Sequence, residues 1–113
     1  MKIDTNNETF PGYVEIPDDF GWPETLAYYG IMRATKGKEP EESFYYMIPG
    51  LIKIVKEWHI EGWPEKPKKA EDIPCKPFTE VVKVLGVLFR AVQKEALDDL
   101  TVPLPQSETP IKP

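Results

Sequence analysis

Cysteine and histidine each occur once in this chain of 113 residues, as Cys75 and His59. A single cysteine closes no internal disulfide, so nothing in the sequence demands an oxidising compartment. One cysteine and one histidine do not make a structural zinc site, and both the CxxC and HxxxH spacings are lacking. Glycine is sparse, with 7 scattered residues. The patterns GxxxxGK, GxGxxG and GxSxG are all missing, which excludes the familiar phosphate-cradling loops and the hydrolase nucleophile turn. Cations are in the minority, 14 Lys and Arg against 19 Asp and Glu, for a net charge of -5. That balance weighs against nucleic acid, whose phosphates need clustered Lys and Arg. Long hydrophobic runs are lacking too. The densest, Val81 to Val92, is broken by Lys83, Gly86 and Arg90, and is too short and too charged to span a bilayer. No apolar run follows Met1-Lys2, so no signal peptide is expected and the expected location is the cytosol.

Proline, by contrast, is abundant at 13 residues, which points to short, sharply ended helices joined by stiff loops. The length suits one domain with one core. Residues 1–9 are polar and read as a flexible start; residues 10–100 read as a single helical domain; residues 101–113, rich in proline, read as a disordered tail. Pro11-Gly12 is a turn signal. Val14 and Ile16 then share one face of a short extended run, expected to pack on helices for want of a pairing partner. Pro23 and Glu24 open a helix to about Thr35, with Leu26, Tyr29, Ile31, Met32 and Ala34 as its apolar surface. Gly30 weakens that helix or marks a close contact. Glu39-Pro40-Glu41-Glu42 opens the next, in which Pro49-Gly50 predicts a break or strong kink. Leu51, Ile52, Val55 and Trp58 continue at helical spacing, so a core helix is expected to run through His59 to a stop at Gly62. A proline-rich loop follows, then a long helix from Phe78 to about Leu100. The fold class expected is all-α: a compact bundle of about four helices with an N-terminal extended segment.

Each reactive residue has a structural reading beside the chemical one. His59, between Trp58 and Trp63, could activate Cys75, but nothing in the sequence places the two together. A histidine that completes a helix C-terminus is the preferred reading. The pairs Asp18-Asp19 and Asp98-Asp99, and Glu57 with Glu61, could do acid–base work only in a cleft that raises one pKa. They read instead as solvated helix flanks. Lys66, Lys68 and Lys69 beside Trp63 form a run too short for a nucleic-acid patch. No metal, cofactor or catalytic residue is expected, and the protein reads as a binding protein, not an enzyme. Tyr28-Tyr29 and Tyr45-Tyr46 are consecutive, so one of each pair must leave its helix's core face. Such tyrosines suit interfaces. Phe78, Val81, Leu85, Leu88 and Val92 form the main stripe of the last helix, while Val84, Val87 and Ala91 carry apolar character to a second face. That face meets another chain unless the helix is central. Tyr28, Tyr45, Val84, Val87 and Ala91 are therefore the candidate partner-binding residues, and self-association through them is expected. Trp22, Trp58 and Trp63 are expected as fold markers, with Trp58 a core anchor and Trp63 folded back over the helix end.

The order PGYVEIPDDFGWPETLAYY, IPGLIKIVKEWHIEGWPEKP, IPCKPFTEVVKVLGVLFRAVQ and a polar tail resembles the small tail assembly chaperones of long-tailed bacteriophages. The resemblance runs over about residues 10–97 as a pattern of hydrophobic and proline positions without a catalytic signature. It implies a non-enzymatic protein of the host cytoplasm that covers apolar helices of the tape measure protein and is left out of the mature virion. It also implies a longer frameshifted form, for which the natural junction is after Leu100. Beside a Cys75-dependent enzyme, two other readings remain from the sequence. One is an acidic inhibitor of a host or defence enzyme, using Asp18, Asp19, Glu39, Glu41 and Glu42. The other is a structural protein of the tail.

Overall fold

Val14 and Ile16 alternate with Tyr13 and Glu15, and this period of two finds strand partners on both sides. The computed structural model describes residues 1–97. In it, β1 (Lys2–Asp4), β2 (Gly12–Glu15) and β3 (Glu57–Ile60) form an antiparallel three-stranded sheet with β2 in the middle. Ile3 pairs with Val14, and Val14 with Trp58, so one face of the sheet is apolar. Tyr13 pairs with His59 and Lys2 with Glu15 on the other. Gly12, opposite Ile60, has a φ of +137°, and a Cβ there would stand 2.0 Å from the His59 carbonyl oxygen. Only glycine fits this closely approached edge of the pair.

The sheet corrects the all-α expectation. Among the described residues there are three α-helices and a short 3₁₀ turn beside the sheet, an α+β fold. Lys2–Asp4 lies in a strand inside the segment expected to be flexible, and Thr5 Oγ1 donates a buried hydrogen bond to the Phe10 carbonyl, closing the β1–β2 loop. The expected helix through Trp58 ends at Ile54 instead. From there Lys56 N–H donates to the Glu15 carbonyl and the chain enters β3, where Trp58 and Ile60 are buried and Glu57 and His59 exposed. Gly62, at φ +87°, turns the chain out of that strand. The Asp98-Asp99 pair and the proline-rich tail from Thr101 lie outside the described residues.

Helix α1 spans Trp22–Thr35. Pro23 occupies its first turn, and Glu24 Oε1 accepts from the Gly21 N–H at 2.8 Å, holding the helix start. Helix α2 spans Pro40–Ile54 as one element. The expected break at Pro49-Gly50 is not there. Pro49 is exposed on the helix surface, and Gly50 is the contact that lets α1 close in. A Cβ on Gly50 would lie 2.3 Å from Ile31 Cγ1 and 3.2 Å from the Ala27 carbonyl. Helix α3 spans Phe78–Leu97, about 30 Å long at the α-helical rise. It meets α1 through Tyr28, whose ring stacks on Phe89 at 6.1 Å and whose hydroxyl accepts from Gln93 Nε2 at 3.1 Å. The core collects Val14, Ile16, Ile31, Leu51, Ile54, Leu85 and Leu88 from every layer. Over it Trp63 stacks on Trp58 at 6.1 Å and meets Phe10 edge-on at 5.7 Å.

Candidate functional site

The residue that most resembles a catalytic group sits on the outer face of the sheet. His59 Nε2 lies 2.8 Å from Glu57 Oε1, and its ring lies 4.8 Å from that of Tyr13. The strand places Glu57 and His59 two residues apart on one side, a pairing that a helix would not make. The hollow beside them, about 280 Å³, is lined by Lys56, Glu65 and Lys66. No hydroxyl or thiol nucleophile lines it. Cys75, the other reactive residue, is exposed and lines a different cleft. Among the described residues no three His, Cys, Asp or Glu side chains converge as metal ligands.

That second cleft lies between α2, the 3₁₀ turn at Ala70–Asp72 and the start of α3. It encloses about 320 Å³ against Phe44, Ile48, Ile73, Phe78 and Leu85. At its rim the Tyr45 hydroxyl donates to Glu71 Oε2 at 2.5 Å. This bond raises the Tyr45 pKa above its ordinary value and lowers that of Glu71. Asp72 is lowered as well, chiefly by the Lys68 N–H that it accepts. Glu71 fixes the proline loop against α2, and Asp72 holds the turn of the loop itself by accepting from the Lys68 and Lys69 N–H groups. None is poised to shuttle protons near neutral pH.

The candidate partner residues separate. Tyr45 is exposed. Tyr28 is 2% exposed and belongs to the core, so its neighbour Tyr29 is the one that faces outward. Val84 is fully buried, and Val87 and Ala91 are half-buried. Of the second apolar face of α3, Val84 is taken up by the core where this helix packs against α1 and α2, whereas Val87 and Ala91 are not among the half-buried side chains packed on that core. Trp58 and Trp63 are buried as core residues, the first from a strand. Trp22 is 78% exposed.

Sequence reasoning missed the surface that α1 leaves open. Ala27, Tyr28 and Ile31 point inward. Trp22, Leu26, Tyr29 and Met32 are all exposed, Leu26 by 55%. Steps of four, three and three residues set them along one side of the helix. A helix that is apolar all round is normally buried all round, and an exposed run of large side chains marks an interaction surface. The signal was present in the residues assigned as α1's apolar surface, but four of those five, Leu26, Tyr29, Met32 and Ala34, are exposed.

Beside this face a groove of about 550 Å³ runs between α1 and α2, with Leu26, Gly30, Arg33, Tyr46, Pro49 and Lys53 in its lining. Gly30 costs α1 about 1 kcal/mol relative to alanine. The fold does not require it: a Cβ there would find its nearest neighbour, the Arg33 guanidinium, 3.9 Å away. Comparison with protein families, with curated proteins and with solved structures finds no match to this chain.

Proposed function

We propose that this protein is a non-enzymatic, protein-binding chaperone whose α1 face covers apolar helices of a client. The observation that carries this reading is the exposed set Trp22, Leu26, Tyr29 and Met32 on a helix whose other side is already packed. Trp and Tyr are enriched among the few residues that carry most of the energy in protein interfaces, and burying apolar side chains such as Leu26 and Met32 against a partner recovers the free energy of their exposure to water. The likeness of residues 10–97 to tail assembly chaperones supplies the client class: the tape measure protein of a long-tailed phage, bound in the host cytoplasm before the tail assembles around it. Strand β3 stands where that likeness implies a helix end, so the proposal rests on α1 and not on the Trp-containing run.

The acidic-inhibitor reading has less support. Asp18 and Asp19 precede α1, while Glu39, Glu41 and Glu42 follow it. A helix of about 21 Å separates the two groups, and the Asp18 carboxylate is engaged by the Met1 ammonium at 2.8 Å.

The test is co-expression with the tape measure protein of the same genome, followed by affinity capture. The wild type is expected to retain the client at both low and moderate salt, because apolar burial is not screened. Trp22→Ser combined with Leu26→Ser is expected to lose the client while the far-UV spectrum and melting temperature hold. A wild-type chain that retains no client, or a double variant that binds as well as wild type, overturns the reading.

A further inference from the structure

The protein-binding reading names a surface but not the chemistry of what docks there. We propose that the α1–α2 groove receives an amphipathic helix of a partner protein, one that carries carboxylates beside its apolar stripe. Three observations converge on it.

The first is Gly30. At Gly50 the missing Cβ has an occupant, since Ile31 of the same chain fills its place. At Gly30, which lines the groove, the nearest atom is the end of the Arg33 side chain at 3.9 Å, an ordinary contact distance that leaves room for a Cβ. A helix-interior glycine without an intrachain reason is explained by a second backbone that must come close.

The second is the shape of the lining. Leu26, Tyr46 and Pro49 give apolar walls, and Leu26 also belongs to the exposed α1 face. Groove and face form one continuous surface. Its volume of about 550 Å³ accepts several side chains and not a whole helix. A docked helix therefore lies across the top and inserts residues at i, i+3 or i+4, and i+7.

The third is charge. Arg33 and Lys53 line the groove, and neither forms an ion pair among the described residues. In a chain of net charge -5, two cations and no carboxylate in the groove lining invert the overall sign at this place. They complement carboxylates on the occupant, which fixes its register more than its affinity.

Synthetic peptides of about 18 residues, five helical turns, test the proposal with the full chain. One carries a leucine stripe flanked by glutamates; the other has the same stripe flanked by lysines. Fluorescence anisotropy of labelled peptide reads binding. The glutamate peptide is expected to bind about tenfold more tightly, against the bias that the net charge of the protein would impose. Arg33→Glu with Lys53→Glu is expected to reverse that preference. Gly30→Leu builds into the groove, where the nearest atom to the added Cβ is the end of the Arg33 side chain at 3.9 Å, so it is expected to weaken the glutamate peptide about tenfold while the melting temperature holds or rises. Equal affinity for the two peptides, or a Gly30→Leu variant that binds normally, overturns the proposal. So does a chain that sediments as a dimer dissolved by Gly30→Leu and binds neither peptide, which would make a second copy the occupant. Equal peptide binding abolished by Trp22→Ser and Met32→Ser, neither of which lines the groove, removes the groove and leaves the chaperone reading standing. A selective groove in a chain that captures no tape measure protein does the reverse.

Discussion

Trp58 opposes Val14 across the β2–β3 pair, and its indole lies under Trp63 at a tilt of 23°. Both rings are buried, yet their polar ends differ in consequence. Trp63 Nε1 is buried with no hydrogen-bond partner among the described residues. An orphaned donor of that kind costs about 1–3 kcal/mol. Trp58→Ala should therefore lose about 3–5 kcal/mol in a urea titration, the usual range for truncating a buried aromatic side chain. Trp63→Phe keeps an aromatic ring against Phe10 and Trp58 and discards the orphan, so it is expected to stay within about 1 kcal/mol of wild type. A loss at Trp63→Phe as large as that at Trp58→Ala would show that the indole N–H has a partner after all. His59 next door had the chemistry of a catalyst in sequence. Its side chain points to solvent from the opposite sheet face, and residue parity alone decides that.

At the level of the element, the helices were legible and the sheet was not. Pro23 with Glu24, and Pro40 with Glu41 and Glu42, mark helix starts through local chemistry, and both helices begin there. The start of α3 at Phe78 was read equally well. Strand β3 went unread because Leu51, Val55 and Trp58 fit a helical step as well as Trp58 and Ile60 fit an alternating one. Four residues are too few to separate the two periods. What decides is pairing with β2, more than forty positions earlier in the chain. Such long-range partners leave no local mark. The same limit hid the docking face: periodicity assigns α1 an apolar surface but does not say which side a neighbour will cover. Pro49-Gly50 does not break α2, which runs through both residues. Gly50 serves the α1–α2 contact. Gly50→Ala is accordingly expected to destabilise by about 1–3 kcal/mol, as overpacking does, despite alanine's better helix propensity. Thermal melting checks it. A neutral or stabilised variant would mean that Ile31 can withdraw and that the two helices do not need this approach.

For the molecule as a whole, exposed carboxylates tie together parts that the core does not. Asn7 Nδ2 donates to Glu80 Oε1 at 3.0 Å, joining the β1–β2 loop to α3, and this bond is the main cause of a lowered Glu80 pKa. Tyr45 and Glu71 join α2 to the proline loop. Glu71 is held below its ordinary value of 4.5, so its contribution is fully present above that pH and is lost as pH falls through the folded value. Tyr45 is held above its ordinary value of 10.0, so its contribution is fully present below that pH and is lost as pH rises through the folded value. One hydrogen bond thus feeds both limbs of the stability profile. The urea midpoint of the wild type should be flat across the neutral range and fall at each end. Replacing Glu71 with Gln removes the titrating acid and the anion that opposes tyrosinate. Glu71→Gln is therefore expected to show a shallower fall on both the acid and the alkaline side. The effects will be small, since solvent screens exposed pairs, and should shrink further in high salt. Midpoints measured across the pH range for both proteins decide the matter. A variant whose alkaline limb matches the wild type would show that Tyr45 is not coupled to Glu71. The clasp between α2 and the proline loop would then have to come from the apolar cleft alone.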